Sequence, residues 1–129
     1  MSGFLLDTNV ILLAGFRSAL LPEQTKIAIE EGPNYLSVIS YWEVVLKSMK
    51  GRLNVGDPLS WWSETLHQMA ATPLLLRPEH VAELCGLPPI HHDPFDRVLI
   101  AQARVEECTL LTTDHQISLY ADRRLKVVH

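Results

Sequence analysis

The chain alternates short apolar runs with longer segments in which apolar residues recur at helical spacing. The short runs predict strands at residues 4–6, 35–39, 74–76 and 109–112, and an edge strand at 126–128. The longer segments predict helices at residues 7–17, 22–31, 40–50, 57–71, 78–85, 93–107 and 114–120. This order indicates an α/β fold, in which helices flank both faces of a mostly parallel sheet.

Length and composition set the scale of that fold. The chain has 129 residues, 47% of them apolar, which suits a single domain over residues 1–129 with a core of its own. The formal net charge is −4. Proteins that bind nucleic acid mainly through its phosphates are usually basic, so any such binding here requires a local basic rim or bound cations.

The cysteines and the apolar runs indicate in which cellular compartment the protein is expected. Cys85 and Cys108 are too few for a disulfide framework and lack the C-x-x-C spacing of metal sites, which favours a reducing cytoplasm. The first residues, MSGFLLDTNVILLAGF, have no basic leader, and Asp7 interrupts their apolar run, which argues against a secretory signal. No apolar run approaches the ~20 residues that span a bilayer, so no membrane partner is expected.

Four acidic residues stand next to the predicted strands or at the start of predicted helices. Asp7 directly follows the first strand, and Asp114 follows the fourth. Glu43 falls in the first turn of the helix after the second strand, and Asp96 in the first turn of the helix before the fourth. Ligands of parallel α/β sheets bind at the carboxyl ends of the strands, so we expect Asp7, Glu43 and Asp114 to gather there. Asp96 joins them if its helix starts at the same edge of the sheet.

A gathering of carboxylates has a definite chemistry. Like charges a few ångströms apart repel one another, and hard cations relieve that repulsion. Oxygen ligands suit Mg²⁺ or Mn²⁺. A pair of such ions about 4 Å apart activates water and stabilises the leaving oxygen in phosphodiester hydrolysis, without a protein nucleophile. The sequence shows no evident Ser–His–Asp or Cys–His set.

Each acid also has a purely structural explanation. Asp7 and Asp114 can cap the helices that they precede. Ser40 and Glu43 fit a capping box in which Glu43 reaches back to the amide of Ser40. Asp93 fits as the N-cap of the long helix that follows it, which puts the next acid in its first turn. Spacing alone does not decide between capping and chemistry.

Four local sequence motifs favour chemistry: LLDTNV, SYWEVVLK, DPFDRVLIAQA and LLTTD. Together, in this order and at this spacing, they resemble the PIN-domain nucleases, and most of all the VapC-type toxins of bacterial and archaeal toxin–antitoxin pairs. The resemblance runs from about residue 4 to residue 129.

The resemblance implies a PIN fold with a five-stranded parallel sheet and Mg²⁺- or Mn²⁺-dependent cleavage of RNA by water. The four acids of the family match Asp7, Glu43, Asp96 and Asp114, and the resemblance implies that Asp7 and Asp96 are the direct metal ligands. Asp93 occurs in the same motif as Asp96, but the second acid of that motif is the site residue. A homodimer and a VapB-type antitoxin are the implied protein partners.

Several residues near the acids are candidates for hydrogen bonds to them or for contacts with substrate: Thr8, Asn9, Lys47, Arg97 and Thr112. Each has an ordinary alternative, namely turn or capping roles for the threonines and the asparagine, a Glu–Lys surface pair for Lys47 and a surface position for Arg97. Lys50 lies on the same helical stripe as Lys47 and is interpreted as a surface residue.

His91 and His92 stand beside Asp93 and raise the hypothesis of a zinc site. The region lacks a clear four-ligand pattern, so a polar loop is the favoured interpretation.

Trp61 is a candidate for a partner interface. In the helix predicted over residues 57–71, the expected core face consists of Leu59, Trp62, Leu66, Met69 and Ala70. Trp61 falls away from that face, on the side of polar residues, where a tryptophan often anchors an interface. The alternative is a second contact within the chain. Since the resemblance implies dimerisation and antitoxin binding, Trp61 is assigned to one of those surfaces.

Other function classes of similar size fit less well. A signalling receiver domain needs an aspartate at the end of the third strand, where Arg77 and Pro78 stand instead. A haloacid-dehalogenase-like phosphatase needs D-x-D after the first strand, and Asn9 occupies the second position. The remaining alternative is a PIN-fold module that binds RNA or a partner without turnover, which the intact set of four acids disfavours.

Overall fold

A five-stranded sheet forms the centre of the protein, which we describe from a computed structural model covering residues 2–129. Its strands are β1 (Phe4–Leu6), β2 (Asn34–Ser37), β3 (Ala71–Leu74), β4 (Thr109–Leu111) and β5 (Val127–Val128). The strands lie in the order β3-β2-β1-β4-β5 and every pairing is parallel. The predicted α/β class and the five parallel strands are confirmed.

Across the residues that the structure describes, seven α-helices surround the sheet. They are α1 (Thr8–Phe16), α2 (Glu23–Glu31), α3 (Val38–Met49), α4 (Pro58–Gln68), α5 (Pro78–Glu83), α6 (Pro94–Glu106) and α7 (His115–Ser118). Short 3-10 helices at Ser18–Leu20 and Leu84–Gly86 follow α1 and α5. Within residues 2–129, no helix combines the length and the apolar character needed to cross a membrane.

Alternation along the central strands divides the core into two layers. Leu5 of β1 and Leu110 of β4 pack into one buried cluster together with the apolar face of α6. Their neighbours Leu6 and Leu111 point to the other face and pack against α1, α2 and α4. Because both faces of β1 and β4 are covered, all their residues except Thr109 at the start of β4 are apolar, as is usual in parallel strands.

The boundary between β2 and α3 differs from the prediction. The strand was expected to run to residue 39 with Ser40 as helix cap, but it ends at Ser37, and α3 begins at the next residue. Ser37 is the N-cap: its hydroxyl accepts a hydrogen bond from the Ile39 amide at 3.0 Å and donates one to Gln102 Oε1 at 2.6 Å. The predicted capping box of Ser40 and Glu43 is therefore wrong.

The third strand also lies elsewhere than predicted. It was expected at residues 74–76, the run of three leucines, but β3 covers Ala71–Leu74, and Leu75 and Leu76 are exposed. The strand begins soon after α4 because Ala70 adopts a left-handed conformation, with φ of 48°, that turns the chain sharply. Pro73 is tolerated within β3 because this strand is an edge of the sheet.

Helix α4 shows which residues form its buried face. Trp62 and Thr65 are buried, whereas Leu59, which was expected in the core, has 64% of its surface exposed. The assignment of Leu59 to the core face is therefore wrong. The buried face of α4 is the one that carries Trp62 and Thr65, and Leu59 lies to the side of it.

Candidate active site

Asp7 and Asp114 lie at the carboxyl ends of the neighbouring central strands β1 and β4. Asp7 directly follows β1, and its backbone N–H donates to the Leu111 carbonyl at 2.9 Å. Thr112, the residue after β4, connects the two acids: its hydroxyl donates to Asp7 Oδ2 and accepts from the Asp114 amide at 2.9 Å. Strands β2 and β3 lie on one side of β1, and β4 and β5 lie on the other, so the strand order reverses at β1. Ligands of α/β sheets bind at such switch points.

Glu43 reaches the same edge from α3. It lies in the second turn of that helix, not the first as expected, and only 9% of its surface is exposed. Its Oε2 pairs with Lys47 Nζ at 3.2 Å. Its Oε1 is buried and has no hydrogen-bond partner among the described residues. A buried carboxylate oxygen without a partner is costly, which indicates that this side of Glu43 is shaped for a further ligand.

Asp96 enters from the start of α6. Asp93 is the N-cap of this helix, as expected, and one of its carboxylate oxygens accepts from the amides of Phe95 at 2.9 Å and Asp96 at 3.1 Å. The cap fixes the first turn so that the Asp96 carboxylate faces the other acids. Asp96 Oδ2 lies 2.8 Å from His91 Nε2.

These side chains line one polar cleft of about 490 Å³ at the carboxyl edge of the sheet. The cleft contains all four predicted site acids, so the structure brings together the residues that the sequence singled out. Its lining residues are Asp7, Thr8, Asn9, Glu43, Lys47, Asp93, Asp96, Thr113, Asp114, His115 and Ile117.

The electrostatics of the cleft show mutual repulsion between the acids. Burial raises the pKa of Asp7 above its ordinary value, and the charges of Asp114 and Glu43 add to this against the hydrogen bonds from Thr112 and Val10. Burial likewise raises the pKa of Asp96 to about 6, with further contributions from the charges of Asp93, Glu43 and Asp7. The protein alone therefore stabilises these two carboxylates poorly as anions.

The same acids favour the protonated, positively charged form of His91. Burial works against its protonation, but the hydrogen bond to Asp96 and the charges of Asp96 and Asp114 outweigh that effect, so its pKa is raised.

The donor set fits a divalent cation. Four carboxylates converge, two of them have a raised pKa, and one has a buried oxygen without a partner. A hard cation would relieve the repulsion and satisfy that oxygen. Asp7 is fixed by two hydrogen bonds, from the Val10 amide at 2.8 Å and from Thr112, so its orientation is set without the ion.

The other candidate residues near the acids hold different positions. The Thr8 hydroxyl donates to Ser40 Oγ at 3.0 Å, which ties α1 to α3 behind the site. Asn9 donates to Thr113 Oγ1 at 2.7 Å. Thr8, Asn9 and Lys47 line the cleft, whereas the exposed Lys50 does not.

Arg97 does not line the cleft. Its guanidinium donates through Nη1 to the carbonyls of Pro88 at 3.2 Å and His91 at 3.3 Å, and to the Tyr120 hydroxyl at 3.2 Å. Arg97 thus holds the loop before α6 in place, an intramolecular role that its position beside Asp96 did not reveal.

His91 is a site residue that the sequence interpretation assigned only to a polar loop. It lies between Asp96 and Asp114, with Nε2 2.8 Å and 3.5 Å from their Oδ2 atoms, while His92 is exposed. The pair of histidines beside Asp93 was a signal for metal chemistry, but only the fold of the loop shows which of them reaches the acids.

Trp61 lines a different groove, of about 390 Å³, between α1, α2 and α4. It is half-buried and packs against the Leu6 cluster, so it lies at the edge of the core face and does not point well away from it as expected. The groove is lined by Ile11, Ala14, Gly15, Ser18, Leu21, Lys26, Ile29, Glu30, Trp61, Thr65, Gln68 and Met69.

Comparison with known proteins gives a consistent result. Residues 4–123 match the family model described as PIN domain. No curated protein sequence matches the chain. Among solved structures, VapBC2 from Rickettsia felis bound to a promoter DNA fragment has a TM-score of 0.72 at 14% identity, over 99% of this chain and 98% of that one.

Two further solved structures share the fold. DNA-bound VapBC from Salmonella typhimurium has a TM-score of 0.69 at 14% identity, over 99% of this chain and 98% of that one. FitAcB from Neisseria gonorrhoeae has a TM-score of 0.62 at 22% identity, over 98% and 96%. At these identities the similarity shows a common fold.

Proposed function

The chain belongs to the PIN-domain family, and from that premise we propose that it is a metal-dependent endoribonuclease acting as the toxin of a toxin–antitoxin pair. The observation that carries the proposal is the convergence of Asp7, Glu43, Asp96 and Asp114 on one cleft. These acids come from four separate parts of the sequence, and capping alone gives no reason for them to meet. The similarity of the fold to VapBC and FitAB complexes supports the toxin assignment.

Asp7 and Asp96 would hold the cation directly, with Glu43 and Asp114 completing its surroundings. Bound Mg²⁺ or Mn²⁺ supplies an activated water and stabilises the leaving oxygen in phosphodiester hydrolysis. The protein's own contribution is orientation. Asp7 and Asp114 are each fixed by a backbone amide and linked through Thr112, so the carboxylates keep their positions as substrate enters.

The charge of the cleft indicates how RNA is held. Among residues 2–129, Lys47 is the one lysine or arginine that lines it. Lys47 is close to half-exposed and pairs with Glu43, so its ammonium stands at the edge of the acid cluster, where a substrate phosphate would approach. With few cations nearby and a net charge of −4, the protein depends on the bound metal ion to attract the RNA backbone.

A protein partner belongs to the same proposal. The similar structures from R. felis and S. typhimurium are VapBC complexes bound to DNA. We extend to this chain a VapB-type antitoxin as inhibitor, a homodimer as the assembled form and the cytoplasm as the site of action. The groove beside Trp61 combines apolar walls with Lys26 and Glu30 at its rim, which suits an amphipathic antitoxin segment.

RNA cleavage by an Asp7→Asn variant tests the proposal. Asparagine caps helices as well as aspartate does, so the variant keeps α1 but loses the charge. We expect cleavage of a pooled, end-labelled RNA to fall by about a hundredfold or more. Asp57→Asn is the matched control, because Asp57 caps α4 through the Ser60 amide but lies outside the cleft. It should cleave like the wild type, and chelation should abolish cleavage in both the control and the wild type.

The same experiment distinguishes the proposed nuclease from the alternative, a module that binds RNA or a partner without turnover. Retention of RNA by the wild type, with no cleavage in Mg²⁺ or Mn²⁺, would favour the module. Wild-type turnover in Asp7→Asn would refute the site assignment.

A further inference from the structure

His91 places an imidazole nitrogen directly beside two of the acids that line the cleft. Its Nε2 lies 2.8 Å from Asp96 Oδ2 and 3.5 Å from Asp114 Oδ2, and one donor atom from each of the three residues lies within 4.8 Å of the others. Two ligands about 2.1 Å from one ion and at right angles to each other lie about 3 Å apart. The separations around His91 therefore allow the three atoms to share an ion, which would take the place of the hydrogen bond between His91 Nε2 and Asp96 in the metal-free protein.

The backbone of His91 is held from two directions. Its N–H donates to the hydroxyl of the buried Tyr120 at 2.8 Å, and its carbonyl accepts from Arg97 Nη1 at 3.3 Å. The His91 side chain has only 17% of its surface exposed. By contrast, the adjacent His92 is exposed and makes no hydrogen bond within the described part of the chain. Such support is typical of a side chain that must present one atom in a fixed direction.

A second observation also points to a ligand in the cleft. Glu43 is about nine-tenths buried, and its Oε1 lacks a partner among residues 2–129 although the residue lines the cleft. Glu43 thus lines the same cleft as Asp96 and Asp114, and the positioned imidazole of His91 contacts the carboxylates of those two acids.

We propose that His91 is a further ligand of the cation in this cleft, on the side of Asp96 and Asp114, and that this nitrogen ligand makes the centre prefer a transition-metal ion such as Mn²⁺ over Mg²⁺. The inference rests on the proposed function, since it assigns a further ligand to the same metal centre. Mg²⁺ favours an all-oxygen shell and gives up water reluctantly. Imidazole suits Fe, Ni, Cu and Zn best, and Mn²⁺, the weakest binder of that series, still accepts a nitrogen ligand more readily than Mg²⁺ does. Replacing the imidazole should therefore weaken Mn²⁺ binding more than Mg²⁺ binding.

Pulsed electron paramagnetic resonance of bound Mn²⁺ tests this directly. Mn²⁺ is added to the metal-free full chain, and modulation from a coordinated ¹⁴N nucleus is recorded. We expect this modulation in the wild type and its replacement by a ¹⁵N signal after labelling with ¹⁵N-histidine, a measurement that needs no mutation. The signal should vanish in His91→Ala and persist in His92→Ala and in His115→Ala, the last of which tests the histidine that lines the cleft itself.

Affinity provides a second measurement. The Mn²⁺ dissociation constant should rise by about tenfold or more in His91→Ala, and the Mg²⁺ constant, measured by competition with Mn²⁺, should rise less. Bound Mn²⁺ without ¹⁴N modulation in the wild type, or modulation that survives in His91→Ala, would overturn the role of His91 and leave the proposed nuclease intact. If no Mn²⁺ binds and cleavage needs no cation, both proposals are wrong.

Discussion

Asp7 and Asp114 each serve as a helix cap and as a site residue, using different oxygens for the two tasks. Oδ1 of Asp7 accepts from the Val10 amide, and Oδ1 of Asp114 accepts from the Gln116 amide at 2.8 Å. Oδ2 of each then faces Thr112 or His91 in the cluster. Capping and chemistry are thus not competing explanations at these positions, because the cap is what aims the second oxygen.

The raised pKa of Asp96 predicts a pH-dependent cost to the metal-free fold. The pKa is about 6 in the folded protein against an ordinary value of 3.8, so between these values the folded state holds the proton more tightly than the unfolded chain. The contribution of Asp96 to the stability of the wild type should therefore fall as pH rises from about 4 to about 6 and then level off. Asp96→Asn lacks this loss and should be more stable than the wild type by about 1–3 kcal/mol at pH 7.5.

Urea unfolding in the presence of chelator, at several pH values between 4 and 7.5, measures this difference. The advantage of Asp96→Asn should shrink toward zero near pH 4, and saturating Mg²⁺ should reverse it, because only the wild type gains the full binding energy of the ion. Asp57→Asn, which caps an exposed helix start, should track the wild type throughout. An advantage of equal size at every pH would contradict the electrostatic origin.

At the scale of elements, the strongly patterned segments were predictable and the boundaries set by tertiary contacts were not. The start of α6 follows from local chemistry, since Asp93 and Pro94 fix its cap and its first residue. The start of α3 does not, because Ser37 caps that helix while bonding Gln102, which lies 65 residues away in the sequence. β3 was misplaced because it is a short edge strand, whose pairing with β2 outweighs the hydrophobicity of the leucines beyond it.

In the site, too, the features set by local sequence were predictable and those set by tertiary contacts were not. The four acids were predictable because each stands in a recognisable local motif, whereas His91 depends on a loop that Tyr120 and Arg97 hold from a distance. Nor could the unpartnered oxygen of Glu43 be predicted, since it follows from how α3 packs beside the sheet.

A buried polar network joins α5 to α6 and predicts a large stability effect. His80 is fully buried, its Nδ1 accepts from the Arg77 amide at 3.0 Å, and its Nε2 therefore carries the proton that Glu106 accepts at 2.7 Å. His80→Ala leaves a cavity and removes the hydrogen bonds to the Arg77 amide and to Glu106, which keeps only its ion pair with Arg77 Nη1 at 3.7 Å. We therefore expect a loss of about 2–4 kcal/mol in unfolding free energy.

Chemical denaturation of the metal-free protein checks this value, with Val81→Ala as the control. Val81 is on the same helix but half-exposed, so its truncation should cost less than about 0.5 kcal/mol. RNA cleavage at a temperature well below unfolding should be the same in both variants, because His80 does not line the acid cleft. A His80→Ala protein as stable as the wild type would show that the network contributes nothing.

For the whole molecule, the topology separates the acid cleft at the carboxyl edge of the sheet from the Trp61 groove between α1, α2 and α4. Helix α1 contributes to both: Asp7 caps its start, and Ile11 and Ala14 line the groove. A segment bound in the groove therefore contacts the helix that begins at the active site. Under the proposed function, an antitoxin segment in this groove would lie next to the acid cleft without having to occupy it.

Trp61→Ala tests that docking surface. Large aromatic residues at the edge of a groove often dominate binding energy, so the variant should weaken binding of the cognate antitoxin by ~1 kcal/mol or more, about fivefold in Kd, or weaken dimerisation similarly. Titration calorimetry with the antitoxin and sedimentation of the chain alone measure the two effects.

Because Trp61 is half-buried, thermal unfolding must confirm that the variant is folded at the temperature used. Leu59→Ala is the matched control, since Leu59 is exposed on the same helix but outside the groove, and it should bind like the wild type. Unchanged binding and unchanged dimerisation in a folded Trp61→Ala protein would limit Trp61 to a packing role within its own chain.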